Sequence, residues 1–152
     1  MSTQPYPEGI DCVWLASDHD GHLGAFITAG IGPIPEDALD SVHMPVEDIE
    51  DRLCQLPPVS QARLLVSVKR PDDFIDLAER GVFVYDWTDI NRTAREALRV
   101  YEPVAVPTKP ITASSLPSDL AALAKVLRLA DIAFAACKAI DIRAHLSCAE
   151  VE

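Results

Sequence analysis

The chain has 152 residues, 24 Asp and Glu against 13 Lys and Arg, and a formal net charge of −11. Residues 1–51 hold 11 acids and no Lys or Arg, while residues 52–152 hold 13 of each, so the whole net charge belongs to the first third. A hydrophobic share of 49% with 24% charged residues excludes a disordered chain. The acidic balance argues against nucleic-acid binding, and no apolar run is long enough to span a membrane.

Cys12 to Ser17 and His22 to Thr28 are β-compatible runs around Asp-Gly, which predicts a hairpin with Gly21 in the turn. Alternation in both runs predicts one face on the core and the other partly covered. Gly30 to Pro35 then reads as a loop. Pro35 to Leu39 fits one helical turn, and Pro45 to Leu56 a helix with Val46, Ile49, Leu53 and Leu56 on one stripe. Ala62 to Val68 is a strand candidate whose continuous apolar character suits a central position. Pro71 to Arg80 carries acids in its first turn and Gly81 as its stop, predicting a helix, and Val82 to Trp87 predicts a strand. The connection between the two strands is long enough for a parallel crossover.

Thr88 to Arg99 fits either period. Leu98 to Val106 is expected as a strand that Pro103 confines to a sheet edge. Thr108 to Pro117 reads as a loop, and Ser118 is expected to cap a helix running to about Leu129. Beyond it, a continuing helix to Ala139 and a last strand through Ile132 and Phe134 are both compatible with the pattern. With no repeat or linker, residues 1–152 are expected to form one α+β domain. Its sheet is mixed or mainly antiparallel, opens with the hairpin and carries three to four packed helices.

Chemical motifs are sparse. Reading Asp18-His19-Asp20-Gly21-His22 as a calcium loop puts Ala16 and Ile27 at its first and twelfth positions, where acids are required. His19, His22 and Cys12 could supply three metal ligands, but histidines at a hairpin tip more often point into water. Gly24, Gly30 and Gly32 precede a Pro-rich loop instead of a helix, and no Lys occurs before Lys69, so no phosphate loop is present. There is no G-x-S-x-G elbow. The four cysteines (Cys12, Cys54, Cys137, Cys148) include no C-x-x-C pair and read as reduced thiols. Residues 1–11 carry no basic and apolar leader pattern, which fits a cytoplasmic chain. No catalytic residue, metal site or cofactor is therefore expected.

The acidic stretch Glu36, Asp37, Asp40, Glu47, Asp48, Glu50 and Asp51 stands above this background. Seven acids uninterrupted by a base can be a solvated face that keeps the chain soluble. Their mutual repulsion would also be relieved by a basic partner, and such a field speeds association with one.

Two blocks carry a resemblance. Trp14 to Pro35, with its W-L-A-x-D-x-x-G opening and T-A-G-x-G-P-I-P exit, resembles the start of a poorly characterised family of small bacterial proteins. Gly81 to Trp87 with Thr88-Asp89, followed by Tyr101 to Pro107, is similar to that family's later portion. The two blocks cover about a quarter of the chain. Members are associated with immunity to secreted or contact-delivered toxins, as in contact-dependent growth inhibition. The resemblance implies a non-enzymatic toxin inhibitor and no catalytic residues. Its expected partner is a cognate toxin domain, basic if it attacks nucleic acid, with neither nucleic acid nor membrane bound directly. Asp37, Asp40, Asp48 and Asp51 are the expected hot spots. The alternative is a small cytosolic ligand- or metal-binding domain or enzyme, using the Gly30–Pro35 loop with His19 and His22.

Overall fold

The computed structural model describes residues 6–7, 9–39, 44–67, 71–88 and 100–149. The predicted hairpin forms from β1 (Val13–Asp18) and β2 (Leu23–Ile27), antiparallel with Trp14 opposite Phe26 and Ser17 opposite Leu23. Gly21 turns it at φ +84°, a conformation that a side chain would strain. Contrary to the one-faced expectation, both strands are buried throughout. Helices cover one side of the hairpin and the C-terminal segment covers the other: Ser17 Oγ donates to Ala124 O, while Asp18 Oδ2 accepts from Phe134 N.

The chain next adds the short β3 (Ile34–Pro35), α1 (Glu36–Leu39) and a 3-10 turn at Val46–Asp48 that runs into α2 (Ile49–Cys54). Val46, Ile49 and Leu53 are fully buried, so the predicted stripe seats this segment on the core. Then follow β4 (Ala62–Leu64), α3 (Asp72–Glu79), β5 (Phe83–Thr88), β6 (Val100–Pro107) and α4 (Ser118–Val126). The ambiguous stretch 89–99 lies outside the described residues. The last strands are β7 (Arg128–Leu129) and β8 (Cys148–Ala149).

Six strands make one mixed sheet in the order β4-β6-β5-β2-β1-β7, and β3 pairs separately with β8. The α+β class, the mixed sheet, the opening hairpin and the helices packed on the sheet agree with the expectation. Both β4 and β5 pair antiparallel with β6, so they run parallel to each other as the crossover length implied, with β6 between them.

Five further expectations are corrected. β4 is a three-residue edge strand, half exposed, because only β6 flanks it. β6 is interior despite Pro103. The register with β5 slips between Val84 and Tyr85, leaving Pro103 beside a bulge, and the pairing with β4 begins only at Ala105, so no ladder bond needs a proline N–H. Ser118 is the first residue of α4 and Pro117 sits at the cap position. That helix stops at Val126. Leu127 N–H closes its last turn on Leu123 O, and the chain then adds Arg128 and Leu129 to the sheet edge, parallel to β1. Ile132 and Phe134 join neither a longer helix nor a strand, and a 3-10 turn occupies Phe134–Ala136.

One face of the sheet is aromatic. Trp14 and Phe26 stack at 4.2 Å between ring centroids, Phe26 and Tyr85 at 4.8 Å, and Tyr101 meets Phe26 and Trp87 edge-on at 5.3 and 5.2 Å. Phe134 closes this face from the C-terminal segment. It lies over Gly24, where an added Cβ would come within 2.8 Å of its ring.

Candidate functional site

The acidic stretch of the sequence does not form a single helix face. Glu36 and Asp37 are exposed in α1, where Glu36 N–H donates to Ser147 O. They line a concavity with His145, Leu146 and Ser147. Glu47 and Asp48 are exposed in the 3-10 turn, Glu50 is half-buried in α2 and Asp51 is exposed there. Asp40 lies outside the described residues. The structure thus divides the stretch into an α1 pair beside the C-terminal segment and an α2 group over the start of β1.

The α2 group joins acids that sequence proximity did not connect to it. Asp11, just before β1, is tied to the end of β2 because its Oδ1 accepts from Ala29 N at 2.9 Å. Asp86 pairs across the sheet with Ile27 on one side and Glu102 on the other. The start of β1, the end of β2, the end of β5 and the start of β6 therefore bring Asp11, Asp86 and Glu102 to one end of the sheet. α2 and α3 add Glu50 and Asp73.

These carboxylates sense one another. The Asp86 carboxyl is pushed from the ordinary 3.8 up to about 6, first by burial and then by Asp11 and Glu102. Glu50 is raised by burial and then by Asp73, Asp11 and Asp51. Asp11 is raised by partial burial and then by Asp73, against the Ala29 hydrogen bond that favours its charged form. The Cys12 thiol is pushed up to about 11 by burial and by Glu47, Asp11 and Glu50, which makes it a poor nucleophile.

Two neighbouring cations are engaged elsewhere. Arg52, the one base in α2, pairs with Asp119 of α4 and holds that carboxyl below its usual range. Arg80 donates to Cys54 O, Leu56 O and Asp76 O. Its charge thus sits at the C-terminal carbonyls of α2, which present the negative end of that helix.

Sequence reasoning missed Asp11, Asp73, Asp86 and Glu102 as members of one surface. Asp86 was the readable signal. A carboxylate inside the apolar strand Val82–Trp87 needs either a cation or water, and its cross-strand neighbour is Glu102.

The metal set of Cys12, His19 and His22 is not assembled. Cys12 is at the far end of the hairpin, where its N–H meets Thr28 Oγ1, and His19 Nδ1 bonds Ala130 O. The expected Gly30–Pro35 loop ends in strand β3 at Ile34–Pro35, and it lies at the opposite end of the hairpin from the His19–His22 tip, so the two line no common pocket. Cys12, Cys54 and Cys137 carry free thiols. Among the described residues no helix is long and apolar enough to cross a membrane. Comparison with protein-family models, with curated proteins and with solved structures finds no match.

Proposed function

We propose that this chain is an immunity-type binding protein that neutralises a cognate bacterial toxin by covering a basic surface on it. The observation that supports this reading is the gathering of Asp11, Glu50, Asp73, Asp86 and Glu102 at one end of the sheet, beside Glu47, Asp48 and Asp51. Like charges held close on separate elements repel one another, and a fold under no other demand would disperse them. A partner bringing Lys and Arg to this surface removes that repulsion on docking. The field also draws the partner in from solution. A toxin that acts on nucleic acid must offer such a basic surface, and an acidic inhibitor seated there occupies the place of the phosphates. The chain needs no chemistry of its own for this role.

The test is direct binding and neutralisation. The C-terminal domain of an exported protein encoded beside this chain should form a one-to-one complex with it and lose its toxicity. A neighbouring toxin domain that neither binds nor is neutralised would overturn the proposal.

A further inference from the structure

At the hairpin tip, away from the acidic sheet end, Asp18, Asp20 and His22 each offer a ligand atom, and these atoms all lie within 4.8 Å of one another. Each of the three is prepared differently. Asp18 is fully buried and held rigid: its Oδ1 accepts from the N–H groups of Asp20 and His22, both at 2.9 Å, and its Oδ2 accepts from Phe134 N at 2.7 Å. A carboxylate oxygen has two lone pairs, so Oδ2 keeps one unused. His22 is held by a backbone bridge to Thr112, and its ring leans on Phe83 at 5.5 Å. Its Nδ1 is buried, has no hydrogen-bond partner among the described residues and faces Asp18 Oδ2 at 4.0 Å, too far for a hydrogen bond. Asp20 is exposed.

A buried imidazole nitrogen without a partner is costly, and a carboxylate oxygen across a gap of this size does not satisfy it. A metal ion between them satisfies both. Four-coordinate zinc with bonds near 2.0–2.2 Å holds its ligand atoms about 3.3 Å apart, so the three side chains would draw together on binding. The backbone N–H groups on Asp18 would orient a ligating carboxylate as outer-shell donors do in metal sites. The set is wrong for Mg²⁺ or Ca²⁺, which prefer six or more oxygens. One imidazole and two carboxylates suit a first-row divalent ion. Asp18 and Asp20 also line a cleft of about 480 Å³ with Thr112, Ser114, Lys125 and Arg128.

We propose that Asp18, Asp20 and His22 form a three-ligand site for Zn²⁺, independent of the acidic surface assigned to partner binding. The test is calorimetric titration of ZnCl₂ into tag-free, chelator-treated full-length protein, with MgCl₂ as the comparison. Asp20→Asn and His22→Gln are titrated alongside, because both change side chains that reach solvent and leave the Asp18 hub in place. The expected result is uptake of one Zn²⁺, weakened at least about tenfold in each variant, with no uptake of Mg²⁺. Zinc should also raise the urea midpoint of the parent protein, while each variant, compared with its own metal-free midpoint, shows little or no rise. Absence of zinc uptake by the parent overturns the proposal. So does uptake by both variants equal to the parent's, which would place the metal on other side chains such as the cysteines. Neither result bears on toxin binding.

Discussion

Trp14 and Tyr101 meet across two intervening strands. The indole Nε1–H of Trp14 in β1 donates to the Tyr101 hydroxyl in β6 at 3.2 Å, and that hydroxyl donates onward to Pro33 O at 2.8 Å. Both side chains are fully buried, so the hydroxyl serves a donor and an acceptor that water does not reach. This pair ties the two halves of the sheet to Pro33, in the exit segment just before β3.

Tyr101→Phe keeps the ring and its edge contacts but strands the Trp14 N–H and leaves Pro33 O without this donor. A buried group left unsatisfied costs about 1–3 kcal/mol. Urea unfolding of the variant should show that loss as a lower midpoint with an unchanged slope. A midpoint equal to the parent's would mean that the hydroxyl carries no weight.

A second prediction concerns Asp18, whose two oxygens accept three backbone N–H groups, one of them from Phe134 in the C-terminal segment. Asp18→Asn removes the charge and turns an amide NH₂ toward at least one of these donors. Hydrogen bonds to charged groups contribute about 1.5–3 kcal/mol each, so a loss of roughly 2–3 kcal/mol is expected in urea unfolding. Because Phe134 N–H is one of the three, the segment after β7 should also become sensitive to limited proteolysis before the rest of the domain. Unchanged proteolysis would show that Phe134 is held by its ring packing alone.

Local patterns made much of this fold readable. The hairpin shows itself by alternation around Asp-Gly, α3 by its acids and its Gly81 stop, and the α2 segment by the stripe Val46, Ile49 and Leu53. What stayed hidden depends on pairing partners. Pro103 signals an edge until the bulge beside it and the late start of the β4 pairing are known. Leu127 and Leu129 continue a helical pattern, yet the sheet edge beside β1 takes Arg128 and Leu129 as a strand. The acidic site followed the same rule. Summing charge along residues 36–51 found the α2 group, whereas Asp11, Asp73, Asp86 and Glu102 join it only through the strand order and the placement of α3.

Stability should rise as the solution is acidified from pH 7 to about pH 5. The folded chain holds the Asp86 proton more tightly than the unfolded chain does, with a value of about 6 against an ordinary 3.8. Between those values the native state binds more protons, so unfolding free energy falls as pH rises through the window. From pH 6 to pH 5 this is one tenfold, so the gain is at most about 1.4 kcal/mol, and water around the half-buried carboxyl reduces it. Glu50 and Asp11 act in the same direction. Asp119 acts oppositely, because Arg52 favours its charged form, but its contribution is lost only as pH falls toward and below its ordinary 3.8. Urea midpoints at pH 7, 6 and 5 check the sign, and Asp86→Asn should flatten the trend. A parent protein least stable at pH 5 would contradict the electrostatics of this sheet end.

Partner association should show the opposite pH dependence, because a basic surface prefers these carboxylates ionised. Binding of the cognate toxin domain is expected to strengthen from pH 5 to pH 7, with protons released on docking at the lower pH. The on-rate should fall with added salt, as steering by separated charges does. The location of the surface is tested by comparing two charge reversals. Asp48→Lys with Asp51→Lys alters the α2 group beside Glu50 and should slow association at low salt at least about tenfold. Glu36→Lys with Asp37→Lys alters the α1 pair beside His145 to Ser147 and should slow it less. Equal effects of the two reversals would mean that net charge alone steers the encounter. A larger effect at α1 would move the docking surface to the C-terminal side of the molecule.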